Sequence, residues 1–375
     1  MINPVFNNYN DPFDNDNELG LPTPNGQISA HTSRVRHHPG VVISLDKLTY
    51  DTYELTVQYE GPGFVQAHAG QYGILKVDGI DKPRAYSFAK APQLQKLNEV
   101  TFFIRTVKGG EMSAWIQQPD RVGQKVVVGG PMGKFGLDKS DKTIVCIAGG
   151  SGMSAINALL EQAVDNQIAR DCFFFYGART QKDLYQLAEM ESIASKWNSN
   201  YNFTFVPVLS EEADYTDWQG ARGLVTEYFK ENYLDTKKID INNTKAFFCG
   251  PPPMIDHGAF VLKSAGLSEV DIYFDKFEDA RSPVPVINNS KCTLCDECLL
   301  VKPVANCIVE TNLFSYRDTG ITSLRRVTAG QTPGLYYTTL VINNDECIRC
   351  YACIDACPHD AISPTNSIFQ ETLRM

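Results

Sequence analysis

The chain has 375 residues, of which 43% are apolar, enough for roughly two or three domains with cores of their own. Its formal net charge of −10 and its pI near 5.2 argue against nucleic acid and anionic membrane surfaces as partners. No apolar run approaches the length of a membrane-spanning helix, and the N-terminus lacks a basic–apolar signal pattern, so we expect a cytoplasmic protein.

Residues 1–33 form the first segment. It is rich in Asn, Asp and Pro, contains no Lys or Arg before Arg34, and shows no apolar periodicity. A segment of this composition buries too little apolar surface to offset the entropy lost on ordering. The pattern therefore predicts an acidic and mostly disordered extension.

Residues 34–138 have the pattern of a β domain. Short apolar or alternating runs recur between glycines and prolines, as in a small Greek-key barrel. The predicted strands lie at 41–45, 53–57, 72–77 and 100–105.

Three segments of this region carry groups that suit a cofactor. The first places a cation, an aromatic ring and a hydroxyl on one strand, as Arg84, Tyr86 and Ser87. The second, Gly-Gly-Glu-Met-Ser at 109–113, opens a predicted helix whose free N–H groups suit a diphosphate. The third, Gly-Pro-Met-Gly-Lys-Phe at 130–135, ends the barrel. Each motif alone is equally well explained as a plain strand and turn.

Residues 139–283 change to an alternation of strands and helices. A continuous apolar strand at 142–148 is followed by Gly-Gly-Ser-Gly at 149–152 and by a helix to about Asp165. Such a turn presents backbone amides and a positive helix end to a pyrophosphate, although its glycines do not follow G-x-G-x-x-G. The alternation predicts a doubly wound α/β domain with a parallel sheet. Its further strands are predicted at 172–176, 203–208, 246–249 and 272–274.

Later segments of this region add candidate site residues. Arg179 ends the second strand, and Cys249, Gly250 and Pro251 follow one another at the end of a later strand. Cys249 has the alternative of a plain buried cysteine, but its place at the carboxyl end of a parallel strand favours a site. Asp275 lies in an aromatic run that ends the region.

The C-terminal segment, residues 284–375, overlaps a stretch of linker composition at 278–290 and is dominated by cysteines. Its last run has the bacterial iron–sulfur spacing C-x2-C-x2-C-x3-C-P. A similar run stands upstream with a longer gap before its fourth cysteine, and an insert at about 308–343 is predicted as a hairpin or loop. The predicted metal ligands are Cys292, Cys295, Cys298, Cys307, Cys347, Cys350, Cys353 and Cys357.

Eleven cysteines in a chain of this length indicate thiolate ligands in a reducing compartment. A disulfide framework is the first alternative, but such frameworks belong to small secreted domains. Zinc is the second alternative, because cysteine runs also form structural zinc sites. The C-P-x-x-A-I ending of the last run is more typical of a ferredoxin.

In order and spacing, these motifs resemble the ferredoxin–NADP reductase superfamily of the oxygenase-reductase type, followed by a bacterial ferredoxin with two [4Fe–4S] clusters. The resemblance rests on an R-x-Y-S strand, a G-x-x-S turn, an A-G-G-x-G turn and a C-G-P-P turn. It implies a multidomain protein with a flavin-binding barrel at 34–138, a nicotinamide-binding α/β domain at 139–283 and a small α+β ferredoxin domain at 284–375.

The resemblance also implies a role for each candidate residue. Tyr86 is expected against the isoalloxazine ring of FAD, with Ser87 at its reactive N5 edge. Cys249 and Asp275 are expected near the same place as catalytic residues, and Arg179 at the adenosine of the nicotinamide coenzyme. The remaining cofactor-binding residues are expected to be Arg84, Gly109, Gly110, Met112, Ser113, Gly149, Gly150, Gly152, Gly250 and Pro251.

The implied function is that of a reductase component. NAD(P)H gives a hydride to FAD, and electrons leave singly through the clusters to an oxygenase or a similar acceptor protein. Glu211 favours NADH, because a carboxylate there repels the 2′-phosphate of NADPH. Two alternatives stay open: a ferredoxin:NAD(P)+ oxidoreductase that runs in reverse, and a non-catalytic electron-transfer subunit resembling those of dihydroorotate dehydrogenases.

Overall fold

The computed structural model describes residues 35–61, 67–96, 98–277, 282–312 and 338–364, and the backbone of 21–22 and 28–29. The strands are β1 (Leu21–Pro22), β2 (Ile28–Ser29), β3 (Arg36–Lys47), β4 (Thr52–Tyr59), β5 (Tyr72–Val77), β6 (Arg84–Ser87), β7 (Glu99–Arg105), β8 (Lys125–Met132), β9 (Thr143–Gly149), β10 (Cys172–Ala178), β11 (Phe203–Leu209), β12 (Ala221–Arg222), β13 (Thr244–Gly250), β14 (Ile272–Lys276), β15 (Pro285–Ile287), β16 (Ile308–Asn312), β17 (Thr338–Ile342) and β18 (Ile362–Pro364). The helices are α1 (Glu111–Ile116), α2 (Met153–Asp165), α3 (Leu187–Lys196), α4 (Val225–Phe229), α5 (Pro252–Ser264), α6 (Glu297–Leu300) and α7 (Ala352–Ala356).

Six of the described strands form a curved sheet in the order β6-β5-β8-β3-β4-β7. The pairs β3–β4, β4–β7, β5–β6 and β5–β8 run antiparallel. A bridge between Phe88, directly after β6, and Phe102 in β7 joins the two outer strands. The sheet therefore curls into a nearly closed barrel, with Leu55, Leu75 and Phe102 fully buried inside it.

Another six described strands form a parallel sheet in the order β12-β11-β10-β9-β13-β14. The chain runs outward from β9 to one edge and then returns to the other side of β9, which makes the carboxyl end of β9 a switch point. Successive residues of β9 face opposite sides of the sheet. Cys146 and Ala148 pack with α2 and α3, whereas Val145 and Ile147 pack with α4 and α5.

The described chain divides into two compact units, residues 37–278 and residues 1–36 with 279–375. Within the first unit, the barrel and the parallel sheet share one apolar core. Ala89, Ala91 and Phe103 of the barrel lie in the same buried cluster as Ile156 and Leu160 of α2. This shared core fixes the flavin-type strand β6 near the helix that follows the glycine turn.

The second unit is a small cysteine-rich module. β15 pairs with β18 and β16 pairs with β17, both antiparallel. α6 and α7 each begin just before the third cysteine of one run, Cys298 and Cys353. Its core contains the side chains of Cys298, Cys307, Ile308, Leu340 and Ile342.

The predicted fold class is confirmed, and each strand predicted in the two large domains is present. One interpretation was wrong: residues 285–287, assigned to a linker, form β15, and the N–H of Asn288 donates to the carbonyl oxygen of Ala361 at 2.7 Å. Prolines and asparagines conceal such a strand because Pro is tolerated at the first position of an edge strand.

Two predictions fall largely where the structure gives no description. The extension at 1–33 lies almost wholly outside the described residues, as does the middle of the insert at 313–337. The paired strands β16 and β17 flank that gap. Among the described helices, none is long and apolar enough to cross a bilayer.

Candidate redox site and cysteine module

The three residues predicted to be catalytic lie together. The hydroxyl of Ser87 donates to Oδ2 of Asp275 at 2.9 Å, and the thiol of Cys249 lies 3.8 Å from the same oxygen. Ser87 ends strand β6 of the barrel, whereas Cys249 and Asp275 face each other in register on β13 and β14. The structure thus brings together residues that stand 188 positions apart in the chain.

Burial sets the protonation state of the thiol. Cys249 is fully buried, and its pKa is raised well above the ordinary value, first by burial and then by the charge of Asp275. A neutral thiol donates a weak hydrogen bond and is a poor nucleophile. Cys249 is therefore suited to shaping the site and not to covalent chemistry.

The glycine turn packs directly against this group. A Cβ on Gly152 would overlap the carbonyl oxygen of Cys249, so only glycine allows the helix start to approach β13 so closely. Gly250 has φ +138°, and a Cβ there would lie 2.8 Å from the carbonyl oxygen of Gly149. A Cβ on Gly149 would lie 2.7 Å from Sδ of Met254. These glycines keep the C-G-P-P turn and the glycine turn in contact.

Two buried tyrosines donate hydrogen bonds to the glycine turn. The hydroxyls of Tyr176 and Tyr185 both donate to the carbonyl oxygen of Gly150, at 3.3 and 3.2 Å. Burial raises the pKa of both tyrosines, so both remain protonated donors at neutral pH. The sequence analysis assigned no role to Tyr185, and no local motif marks it.

Arg105 is a further residue that the sequence analysis missed. It ends β7 of the barrel, and its Nη1 lies 3.1 Å from the position that a Cβ on Gly150 would occupy. Its Nε donates to Oδ2 of Asp51 at 2.9 Å, which holds the guanidinium in place. A fixed guanidinium beside a glycine-rich helix start is a strong site for a phosphate. Only the docking of the barrel on the parallel sheet reveals it.

The predicted flavin strand and phosphate turn are also close to each other. Tyr86 is half-buried, and burial raises its pKa. Nη2 of Arg84 lies 3.2 Å from the carboxylate of Glu111, which begins α1. The buried Ser113 accepts a hydrogen bond from the N–H of Val107 at 2.8 Å and so shapes the turn before the helix.

Among the other residues of this turn, Gly109 faces open space. A Cβ on Gly109, which has φ +76°, would meet no atom within 4 Å. Met112 points into the barrel core instead, so its part in the turn is that of its backbone. The predicted residues thus form one strand-and-turn group, with an arginine at its exposed edge.

At the far end of the parallel sheet, Glu211 lies between two arginines that are bonded to other groups. Nη2 of Arg179 donates to Asp183 at 2.9 Å. Glu211 is exposed, and its N–H donates to the carbonyl oxygen of Arg179 at 2.8 Å. The guanidinium of Arg222 donates to three backbone carbonyl oxygens, those of Glu212, Ala213 and Trp218. The two arginines near Glu211 are thus already engaged.

The two cysteine runs have the same backbone conformation. Leu294 and Asp296, which flank Cys295, have φ of 56° and 62°. Arg349 and Tyr351, which flank Cys350, have φ of 59° and 58°. Left-handed residues are uncommon outside glycine, and two pairs at matching positions indicate one loop design used twice.

Cys298 and Cys307 lie near different cysteines. Burial first, and then the charges of Cys292, Cys295 and Cys357, raise the pKa of Cys298 to about 12. Burial and the charge of Cys347 raise the pKa of Cys307 to about 11. Within the described ranges, no group of three or more His, Cys, Asp or Glu side chains has an arrangement that could hold a metal ion. The grouping is one of proximity.

The second loop is covered by a neighbouring segment of its own unit. Nε of Arg349 donates to the carbonyl oxygen of Ser282 at 2.8 Å, and the hydroxyl of Tyr351 donates to that of Pro283 at 2.7 Å. In the first loop, Leu294 and Cys295 are exposed.

Three protein-family models match the chain. Residues 39–136 match the oxidoreductase FAD-binding domain, residues 146–259 match the oxidoreductase NAD-binding domain, and residues 340–363 match the 4Fe-4S binding domain. The last match contains only the second cysteine run.

The relatives with similar sequences are named as electron-transfer or reductase components of oxygenases. The xylene/toluene monooxygenase electron transfer component XylA of Pseudomonas putida is 36% identical over 62% of this chain and 63% of its own length. The phenol 2-monooxygenase reductase component DmpP of Pseudomonas sp. strain CF600 is 33% identical over 66% and 67%. The chain therefore spans about two thirds of the length of these relatives.

Solved structures agree with this fold. The Amycolatopsis cytochrome P450 reductase GcoB has a TM-score of 0.58 and 27% identity over 68% of this chain and 73% of its own. The ferredoxin reductase of a carbazole 1,9a-dioxygenase has a TM-score of 0.57 over 65% and 70%, and at 24% identity it shows the fold alone. The chain therefore belongs to the ferredoxin–NADP reductase superfamily of FAD- and NAD-binding oxidoreductases, in the group that contains reductase components of oxygenase systems.

Proposed function

We propose that this chain is an NADH-dependent reductase that passes electrons one at a time, through FAD and two [4Fe–4S] clusters, to an oxygenase component or a similar acceptor protein. The observation that carries the proposal is the contact of Ser87 and Cys249 with Asp275. A flavin-type strand of the barrel and the nicotinamide-type turn of the parallel sheet meet at that one carboxylate, as hydride transfer between two cofactors requires.

The residues of the first unit fit the two cofactors. When bound, FAD supplies the exchange between a two-electron hydride and single electrons. Tyr86 offers a ring face to the flavin, and Ser87 offers a hydroxyl that can donate to it or to Asp275. The amides of the glycine turn, with Arg105 beside them, bind the pyrophosphate of the coenzyme.

The flavin phosphates are assigned to Arg84 and the turn at 109–113. Nη1 of Arg84 donates to the carbonyl oxygens of Lys82 and Pro83, which holds the guanidinium in place. The ion pair of its Nη2 with Glu111 can give way to a phosphate, because both side chains are partly exposed and such pairs contribute only about 0–1 kcal/mol. A phosphate that accepts two hydrogen bonds from the guanidinium is a better partner than the carboxylate.

NADH is the proposed coenzyme because the two arginines near Glu211 are engaged by other groups. Arg179 is held by Asp183, and Arg222 is held by backbone carbonyls. The exposed carboxylate of Glu211 adds repulsion.

Two clusters are proposed because both cysteine runs have the same pair of left-handed residues around the middle cysteine. We assign Cys292, Cys295 and Cys298 to one cluster with Cys357. Cys347, Cys350 and Cys353 belong to the other cluster with Cys307. Exchange of the fourth cysteine between runs is the pattern of bacterial two-cluster ferredoxins.

The partner is inferred from the names of the relatives, which are electron-transfer or reductase components of monooxygenases and dioxygenases. An acidic reductase of net charge −10 is expected to dock on a positive surface of its acceptor.

An anaerobic titration with NADH tests this function. We expect NADH to bleach the flavin absorbance and then the iron–sulfur absorbance, with about four electrons taken up per chain, two at the flavin and one at each cluster. The same titration with NADPH is expected to be much slower, and steady-state kcat/KM values for the two coenzymes quantify the preference.

Three results would contradict the proposal. An uptake of only about three electrons per chain would remove the second cluster. A preference for NADPH would remove the assignment of Glu211. Rapid NAD+ reduction by chemically reduced clusters, with no flavin bleaching by NADH, would favour the reverse-direction enzyme instead.

A further inference from the structure

Helix α2 forms a second connection between the two halves of the redox site. It begins at Met153 directly after the glycine turn, and Asn157 lies about one turn further on. Asn157 is fully buried, and its side-chain amide donates to the carbonyl oxygen of Ala89 at 2.8 Å. Ala89 stands two residues beyond Ser87, so the bond joins the nicotinamide-side helix to the end of the flavin strand.

Glu161, one turn further along α2, extends this connection. Its Oε2 accepts a hydrogen bond from the N–H of Ala91 at 2.7 Å, and its Oε1 accepts one from Nδ2 of Asn157 at 3.1 Å. Two side chains of one helix therefore bind a carbonyl and an N–H of the same three-residue segment. The N–H of Ala89 in turn donates to the carbonyl oxygen of Thr101 in β7, which ties the segment to the barrel.

Hydrogen bonds fix the position of residues 89–91 along α2, which apolar packing alone does not. Ala89 and Ala91 are small and fully buried against α2, and contacts of this kind are non-directional. A slide of the segment along the helix keeps most of that apolar contact. It breaks the hydrogen bonds of Asn157 and Glu161, however, and leaves buried polar groups unpaired. The two side chains thus specify one relative position.

We propose that Asn157 and Glu161 are positioning residues that lock the flavin strand to the glycine turn and so set the alignment of the two cofactors for hydride transfer. The inference rests on the proposed function, since it assigns the hydride donor to the turn and the acceptor to the strand. Neither residue touches a reacting atom. Burial raises the pKa of the Glu161 carboxyl, as expected for an acid enclosed at such a joint.

The test compares Asn157→Ala and Glu161→Ala with the wild-type protein. We expect hydride transfer, measured as flavin bleaching in stopped flow, to fall about 10- to 100-fold in each, because a small misalignment of reacting groups has that effect. FAD content and the Kd for NAD+ are expected to stay within about threefold, because both binding sites keep their own contacts. Asp165→Asn is the matched control, an exposed acid at the end of the same helix.

Four further measurements separate positioning from a general loss of structure. The long-wavelength absorbance of the flavin–nicotinamide complex should weaken in the alanine variants. The melting temperature of the FAD-free protein should fall by only a few degrees, as expected for one or two unpaired buried groups. Glu161→Gln retains an acceptor for the N–H of Ala91 and should recover part of the rate. The double variant should lose less than the product of the two single losses, because both side chains act on one segment.

Two outcomes overturn the inference. Variants that transfer hydride at the wild-type rate while binding FAD and NAD+ normally would show that the joint does not set alignment. Variants that lose FAD, melt early and lose every activity together would show that Asn157 and Glu161 are ordinary core residues. A wild-type chain whose flavin NADH does not reduce would instead contradict the proposed function and not the positioning role.

Discussion

At the scale of single residues, Asp275 is the centre of the site. One carboxylate oxygen accepts the hydroxyl of Ser87 and faces the thiol of Cys249, and these groups come from three strands. Since a carboxylate only accepts hydrogen bonds, it orients both donors towards itself and fixes where each proton lies. This arrangement makes Asp275 a positioning group for the Ser87 hydroxyl, which we propose meets the flavin.

The residue-scale prediction concerns this hydrogen bond. Asp275→Ala should slow flavin reduction by NADH about 10- to 100-fold, the factor that matches the roughly 1.5–3 kcal/mol of a hydrogen bond to a charged group. Ser87→Ala should have a similar effect, and the double variant should be little worse than either single variant. Stopped-flow reduction at saturating NADH measures all three.

A matched control is available elsewhere in the same unit. The hydroxyl of Ser140 also donates to an aspartate, Asp138, at 3.0 Å, but it lies away from the site. Ser140→Ala should leave flavin reduction unchanged. If Asp275→Ala reduces the flavin at the wild-type rate, the carboxylate has no part in orienting Ser87.

At the scale of elements, the cysteine module consists of two similar loops, and each leads into a short helix that carries the third cysteine of its run. Left-handed residues stand directly before and after the middle cysteine of each run. α6 and α7 then carry the chain away, and the fourth cysteine of the last run ends α7 as its C-cap. A helix of this length takes that cysteine beyond its own run, towards the neighbourhood of Cys298.

The element-scale prediction follows from this crossing. Cys357→Ala should alter the EPR signal of the cluster that is lost in Cys292→Ala, and Cys307→Ala should alter the signal that is lost in Cys347→Ala. Iron content and EPR of the dithionite-reduced variants measure the effect. Cys172→Ala, a buried strand cysteine of the parallel sheet, is the control that should leave both signals intact. If Cys357→Ala and Cys347→Ala alter the same signal, the clusters are built from single runs.

At the scale of the whole molecule, the chain divides into two compact units. The boundary separates the residues proposed for the two-electron step from the cysteines proposed for single-electron transfer. Residues 37–278 contain both sites for the two-electron step, and the unit with residues 279–375 contains all eight cysteines of the two runs. The stretch proposed as a linker from its composition is shorter than expected. Ser282 and Pro283 bind the second cysteine loop, and β15 follows at once.

The whole-molecule prediction uses that division. A chain that ends at residue 281 should retain FAD and reduce ferricyanide with NADH at a rate close to that of the full chain, because its unit has its own core. It should fail to reduce the protein acceptor, whose route passes through the clusters. Steady-state assays of both chains with both acceptors measure this. Full activity of the shortened chain towards the protein acceptor would show that the clusters are not the outlet.

The sequence by itself determined the fold class, the order of the domains and the chemistry of the candidate residues, because these are written in local patterns. A strand period, a glycine turn and a C-x2-C-x2-C run each act over a few neighbouring residues. Ser87, Cys249 and Asp275 were identified in this way, each from its own motif.

Only the tertiary structure decided which residues meet. Arg105, Tyr185, Asn157 and Glu161 stand in no recognisable motif. The role of Tyr185 arises from a contact within the parallel-sheet domain, and the roles of the other three arise where the barrel docks on that sheet. β15 was also missed in the sequence, because its partner strand β18 lies more than seventy residues away. Contacts between distant segments depend on how the domains pack, and local periodicity carries no information about that packing.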